Sequence, residues 1–216
     1  MSYFPFFKEI EGEKCLVIGG GKVAARKISR LKEFGVKIKV VAPSIVSDIE
    51  AMAQACDNIS VERRIITPQD IENADFVIAA AGEEADKEAA RLCKERSIPV
   101  NVVDNQELCD FIFPSIIRKG DMVAGFVTGG KSPHVAAKIR RDCEMNISDN
   151  IEDILDYLAR IRKLAKDRIS DERKRAAYIR EVSEFCMKAD RVCSNKEENA
   201  FLQIPYMWYM GMVRLW

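Results

Sequence analysis

The sequence predicts an α/β fold in which an N-terminal parallel sheet gives way to a β-rich segment and then to a helical module. Three observations lead there. Cys15-Leu16-Val17-Ile18 is an apolar run suited to a strand covered on both faces, and it runs directly into Gly19-Gly20-Gly21 and a helix. From there to Asp104, apolar strands alternate with amphipathic helices, the pattern of right-handed crossovers and a parallel sheet. Near Asp110 the alternation stops, and the chain becomes first β-rich, then helical and highly charged.

The glycine stretch fits the Gly-x-Gly-x-x-Gly/Ala fingerprint. Gly19 and Gly21 allow a tight turn and close approach of a pyrophosphate, with Gly20 between them. Ala24 fills the small third position, where a larger side chain would push helix from strand. The helix expected over residues 23–34 would aim free N–H groups and its positive dipole end at the phosphates. Gly19, Gly20, Gly21, Lys22, Val23 and Ala24 are therefore the candidate cofactor-binding residues. A second strand, residues 36–42, ends at Ala42-Pro43-Ser44. A dinucleotide site usually holds the ribose with an acidic residue at that place. Here backbone groups and the Ser44 hydroxyl would have to serve. No arginine stands there for a 2′-phosphate, so NAD is expected in preference to NADP.

Residues 45–55 have helical spacing, with Ser44 as a candidate N-cap. Residues 58–66 read as a third strand, Thr67-Pro68-Gln69-Asp70 as a helix start, 74–81 as a fourth strand and 83–96 as an amphipathic helix. Pro99-Val100-Asn101-Val102-Val103-Asp104 is a fifth strand ending in a carboxylate. The first half is thus a Rossmann-like nucleotide-binding domain. In such open sheets ligands lie outside the carboxyl ends of the strands. Asp104 is there a candidate proton acceptor during hydride transfer; the alternative is an aspartate that caps the next turn with Asn105.

Residues 111–117 and 122–127 are β-rich, joined by Arg118-Lys119-Gly120-Asp121 as a hairpin turn. In Thr128-Gly129-Gly130-Lys131-Ser132-Pro133, Ser132 as N-cap and Pro133 at the first helical position would start a helix to about Met145. A helix-opening loop is a candidate anion site. Arg118, Lys119, Lys131, Lys138, Arg140 and Arg141 cluster around it and would suit a substrate with several carboxylates. His134, the single histidine, reads as a first-turn helix residue, with a proton or metal role as the alternative. Ser148 and Ser170 are candidate caps of two further helices. The stretch 201–216 is rich in aromatic residues and methionine, which points to packing on the helical module or a partner chain, or to a ligand wall.

The chain has 216 residues, with 34 basic against 34 acidic ones, and the absence of net charge argues against a general nucleic-acid binder. Its seven cysteines are odd in number and mostly sit in apolar runs, as reduced thiols of a cytoplasmic protein do. No metal site is expected. The N-terminus lacks the basic region of a signal peptide, and no apolar run reaches membrane-spanning length.

Four blocks in order give a resemblance to a family: Phe4-Pro5-Phe6-Phe7, Leu16 through Lys27, Asn101-Val102-Val103-Asp104, and Phe113-Pro114-Ser115-Ile116-Ile117 followed by Thr128 through Pro133. Together they resemble the precorrin-2 dehydrogenase/sirohydrochlorin ferrochelatase family, the dehydrogenase module of siroheme synthases. The resemblance implies NAD-dependent oxidation of precorrin-2 to sirohydrochlorin and, in some members, insertion of ferrous iron to give siroheme. It implies a homodimer, with an NAD-binding domain over 1–112, a dimerisation segment over 113–147 and a helical module over 148–216. It gives Asp104 the proton-accepting role in both steps. It gives Gly19, Gly21, Lys22, Val23, Pro43 and Ser44 to the cofactor, and Thr128 to the neighbourhood of the tetrapyrrole. Lys131, Ser132 and Arg118, from the helix-opening loop and the basic cluster, are the further candidate substrate contacts. With no methyltransferase pattern after the helical module, a stand-alone enzyme is expected. The alternatives are a dehydrogenase without chelatase activity and a non-catalytic NAD-sensing module.

Overall fold

The computed structural model describes residues 3–201. The chain forms two compact units. One comprises the residues up to Ser115 together with Val127–Pro133; the other comprises Ile116–Phe126 and the residues from His134 onward.

The first unit is built on five strands: β1 (Lys14–Ile18), β2 (Lys37–Val41), β3 (Ile59–Glu62), β4 (Phe76–Ala79) and β5 (Val100–Val102). They pair in parallel, in the order β3-β2-β1-β4-β5. The connections are α1 (Lys22–Leu31), α2 (Ser47–Ala55), α3 (Pro68–Glu72) and α4 (Glu83–Glu95). The strand alternation of β1 divides the core. Cys15 and Val17 pack on one face with Ile28, Leu31 and Ile49, while Leu16 and Ile18 pack on the other with Ile71, Ala89 and Cys93. Chain order reverses between β1 and β4, and that switch point is where an open α/β sheet offers its ligand crevice.

Several elements are shorter than the sequence pattern suggests. The third strand covers four residues rather than 58–66, because Arg63 onward leaves the ladder for the capping loop of α3. There Thr67 and Asp70 form a capping box, with the Asp70 carboxylate accepting from the Thr67 N–H at 2.8 Å and its hydroxyl at 2.9 Å. Arg64 adds a two-pronged ion pair at 2.6 and 2.7 Å, and Lys39 reaches the same carboxylate at 3.0 Å. Ser44 is not the cap of α2. The N-cap is Val46, two residues on, because the preceding loop is held elsewhere: Val46 N–H donates to the Gly20 carbonyl at 2.9 Å.

In the second unit, β6 (Ser115–Lys119) and β7 (Met122–Phe126) are joined by two residues, a connection short enough only for an antiparallel hairpin. Gly120, at φ 55°, takes the left-handed position of its turn. The rest is α5 (Pro133–Glu144), α6 (Ile151–Arg168) and α7 (Glu172–Ala189), the last two packed through Ile154, Tyr157, Ile161, Tyr178, Val182 and Cys186. Two expected caps move by one or two residues. Asn150 rather than Ser148 precedes α6, with the Ser148 hydroxyl accepting from its N–H; Asp171 rather than Ser170 caps α7, accepting from Lys174 N–H at 2.8 Å. No helix among the described residues is long and apolar enough to cross a membrane. All seven cysteines are free, four of them buried. The stretch expected to form a wall or a packing surface, 201–216, lies outside the described residues apart from Phe201.

Arg64 is the main reason the Asp70 carboxyl lies well below the usual carboxylate range. A group depressed in this way adds stability above its unfolded pKa and loses it as the pH falls toward the folded value. Asp70→Asn is therefore expected to cost on the order of 2 kcal/mol at pH 7. In urea titrations the deficit should narrow as the pH is lowered from about 4; a deficit independent of pH would assign the effect to packing instead.

Candidate functional site

The β1–α1 loop passes through two close backbone approaches. Gly19, at φ 114°, lies where an added Cβ would come within 2.2 Å of the Ala80 carbonyl oxygen. A Cβ on Gly20 would meet the Ser44 carbonyl at 2.1 Å. These two glycines are thus required by packing. Gly21 differs: a Cβ there would meet nothing within 4 Å, and its φ of −87° is open to any residue. The space in front of Gly21 is the entrance to α1. No side chain caps that helix, and its first turn holds no acidic residue. Ala25 N–H donates to the Gly21 carbonyl at 3.0 Å, so the N–H groups of Lys22, Val23 and Ala24 at the helix start are without intrahelical acceptors. An open approach, uncapped N–H groups and an uncompensated dipole fit a dinucleotide pyrophosphate.

Two neighbouring loops complete the carboxyl edge of the sheet. Pro43 and Ser44 are exposed beside Gly20, next to the glycine turn. The β4–α4 loop is pinned by the buried Asp86, which accepts from Ala81 N–H at 2.8 Å and Gly82 N–H at 3.3 Å. Burial raises the Asp86 carboxyl, and those two N–H groups oppose the rise. The sequence shows no arginine at 42–44, but the fold brings Arg63 and Arg64 near by bonding Ala42 N–H to the Glu62 carbonyl at 3.2 Å. Both guanidiniums are engaged, Arg63 with Glu50 and Arg64 with Glu62 and Asp70.

Asp104 lies two residues beyond β5 rather than in the strand. It is exposed, and its φ of 58° puts it in the left-handed region that few residues other than glycine adopt. Among the described residues its carboxylate has no hydrogen-bond or ion-pair partner. Asn105, at the start of the following turn (residues 106–108), makes no side-chain cap either. The capping alternative for Asp104 therefore finds no support. A carboxylate held outward in a strained turn at the ligand edge is the arrangement expected of a working group.

The Thr128–Pro133 loop belongs to the same unit. The Thr128 hydroxyl donates to the Ser132 carbonyl at 2.9 Å and accepts from Ser132 N–H at 3.2 Å, which closes the loop on itself. Gly130 lies against Gln106, whose Oε1 would sit 2.2 Å from an added Cβ. The loop is thereby held against the turn that follows Asp104. Lys131 is exposed on it. Arg118 and His134 belong to the other unit. Arg118 is exposed on β6, with Nε donating to the Gly120 carbonyl at 3.3 Å, and His134 is an exposed first-turn residue of α5. Three of the six residues of the expected basic cluster are paired with carboxylates. Lys119 is bound to Asp149 at 2.8 Å and to the carbonyls of Ile147 and Ser148, Lys138 to Asp142 at 2.6 Å, and Arg140 to Glu144. Among the described residues no group of three or more His, Cys, Asp or Glu side chains is placed to hold a metal. A groove of about 630 Å³ near Lys14, Lys37 and Asn58 opens at the opposite, amino edge of the sheet, away from the cofactor loop.

Two residues of the site give little signal in the sequence. Lys27, on α1, places its ammonium 2.9 Å from Asn101 Oδ1 and 4.2 Å from the centre of the Phe113 ring. Asn101 itself is buried in β5. Burial pulls the Lys27 ammonium down to about 8; Arg26 adds to the fall, and Cys109, Asp104 and Cys15 counter it.

An open parallel sheet with a glycine turn at its switch point and an uncapped helix start defines a dinucleotide-binding α/β domain. The chain belongs to the family described as "Putative NAD(P)-binding", whose model matches residues 6–115. It is 31% identical over 201 residues to the siroheme synthase of Nitrosococcus oceani, a match spanning 93% of this chain and 42% of that protein. It is 36% identical over 179 residues to the siroheme synthase of Thioalkalivibrio sulfidiphilus, spanning 82% and 36%. The chain thus covers about two fifths of the length of these relatives. Among solved structures, "SirC, precorrin-2 dehydrogenase" shares the fold with a TM-score of 0.69 at 20% identity, covering 94% of this chain and 99% of that one.

The three glycines separate packing from binding. Gly19→Ala should lose stability, since the left-handed φ alone costs roughly 1–2 kcal/mol before the collision with Ala80 is counted. Gly21→Ala should keep the melting temperature of the parent and lose NAD affinity, because its methyl enters the space offered to the pyrophosphate. Circular dichroism melts and calorimetric titration with NAD measure the two effects; equal NAD affinity in Gly21→Ala would move the cofactor elsewhere.

Proposed function

We propose that the chain oxidises precorrin-2 to sirohydrochlorin with NAD as the hydride acceptor. The observation that carries this reading is one edge of one sheet. It holds the open entrance to α1 at Gly21 and, beyond β5, the outward carboxylate of Asp104. The names of the relatives and of the solved structure that shares the fold support the choice of substrate.

NAD supplies the two-electron acceptor when bound. Lys22, Val23 and Ala24 N–H groups bind its pyrophosphate, and Gly19 and Gly20 shape the loop that allows the approach. Ser44 and the backbone at Pro43 hold the ribose. The engagement of Arg63 and Arg64 by carboxylates leaves little for a 2′-phosphate, which favours NAD over NADP. Oxidation removes a hydride and a proton from the substrate, and Asp104 takes the proton. Thr128, Lys131 and Ser132, on the one loop, meet the substrate's carboxylates. Ferrous iron is a further substrate if the product is metallated here; Asp104 then accepts pyrrole protons as well. We assign dimerisation to 113–147, between an NAD-binding segment 1–112 and a helical segment 148–216, and expect a homodimer working in the cytoplasm.

Asp104→Ala should retain NAD affinity, because the side chain takes no part in the glycine turn, and should slow NADH production from precorrin-2 by about 100-fold or more. Near-normal NADH production in that variant removes Asp104 from the mechanism. Light scattering at micromolar concentration reads the assembly; a monomer contradicts the dimer.

A further inference from the structure

Lys27 has no part in the pyrophosphate site, although it stands on the helix that forms it. It lies in the second turn of α1, and its side chain crosses to β5, 74 residues away in sequence, where it donates to Asn101 Oδ1 at 2.9 Å. A lysine that leaves water for a position over an aromatic ring and against a buried amide is held for a reason, since burial disfavours its charge. Burial pulls the ammonium down to about 8.

The far side of Asn101 explains the arrangement. Its amide N–H donates to the Phe111 carbonyl at 2.9 Å and lies 3.6 Å from Cys109 Sγ. Cys109 Sγ in turn accepts from Val102 N–H at 3.1 Å and lies 3.2 Å from the carbonyls of Val102 and Asn105, the residue after Asp104. Asp110 closes the same segment on the strand, its carboxylate accepting from Val100 N–H at 3.0 Å. Residues 103–110 thus form a loop clamped at its base by Asn101, Cys109 and Asp110, with Asp104 in a left-handed conformation near its start. The Asn101 amide can satisfy Phe111 only in the orientation that turns Oδ1 toward α1, and the Lys27 ammonium is the donor that fixes this orientation.

We propose that Lys27 is a positioning residue for Asp104, which through Asn101 ties the helix of the cofactor turn to the loop that presents the carboxylate. The inference rests on the dehydrogenase reading for its kinetic consequence but not for its geometry. The groups around the ammonium are Asn101 and Phe113 in contact, the thiols of Cys109 and Cys15, the Asp104 carboxylate and, on its own helix, Arg26. Cys109, Asp104 and Cys15 favour the charged form, and Arg26 opposes it.

Two measurements test the proposal on the full chain. With lysine labelled at Cε and Nζ, the resonance lost in Lys27→Arg identifies Lys27. It should titrate near pH 8, apart from surface lysines near about 10.4, and lower still in Asp104→Asn. Titration with the surface lysines, or an unchanged value in Asp104→Asn, overturns the link between the two residues, whatever the enzyme's substrate. In steady-state kinetics Lys27→Met should lower kcat for precorrin-2 oxidation about tenfold or more, within the hundredfold that a 1 Å misplacement costs. NAD affinity should stay within about threefold, and Lys27→Arg should recover most of kcat. A fall in NAD affinity with kcat unchanged, or no rescue by arginine, overturns the positioning role. Absence of NADH formation in the wild type instead contradicts the dehydrogenase reading and leaves the titration to decide the coupling.

Discussion

The first unit depends on a backbone path with no room for side chains. Gly19 passes the Ala80 carbonyl and Gly20 passes the Ser44 carbonyl at distances that exclude a Cβ, so β4, the glycine turn and the β2–α2 loop lock into one edge. Hydrogen bonds follow from this closeness: Gly19 N–H to Val41, Ala80 N–H to Ile18, and Val46 N–H to Gly20. Once the path is set, α1 must begin at Gly21, its N–H groups facing the one direction that packing leaves open. An open approach to the helix start arises here from what the core cannot cover.

The other end of the crevice obeys a different constraint. β5 is three residues long, and the loop after it is ordered by polar side chains rather than by apolar burial. Asn101 is buried, its amide partnered by Lys27, Cys109 and Phe111 on neighbouring segments, and an unsatisfied amide there would cost about 1–3 kcal/mol. That penalty makes the loop conformation specific, and it allows Asp104 to be held in a backbone region it would not choose alone. Rigid packing on one side and a satisfied polar network on the other bring the glycine turn and the carboxylate to the same edge.

The sequence discloses what is local. The β1–glycine–α1 unit, the Thr67–Asp70 capping box, the hairpin around Gly120 and the helices each owe their form to neighbours a few residues away, and they stand close to where periodicity and turn chemistry put them. Cap positions slipped where tertiary contacts compete: Ser44 lost α2 to Val46 because the loop is held at Gly20, and Asp171 outcompeted Ser170 by reaching Lys174 N–H. The bond from Lys27 to Asn101 had no signature in either segment, since a lysine in an amphipathic helix normally reads as solvent-facing. Likewise the basic residues around 118–141 look like an anion patch in one dimension, although Lys138 and Arg140 have carboxylates one helical turn on, and only the fold shows that Lys119 is paired with Asp149.

In the proposed enzyme the open entrance to α1 receives NAD while the same edge presents Asp104. An amide NMR titration of the protein with NAD tests it most directly. The largest shifts should fall on Gly19 through Ala24 and on Ser44, with smaller ones at residues 80–82 and 103–105. The amides of Lys14, Lys37 and Asn58 at the opposite edge should stay in place. Shifts concentrated at that opposite edge, or none at Lys22, Val23 and Ala24 under saturating NAD, would contradict it.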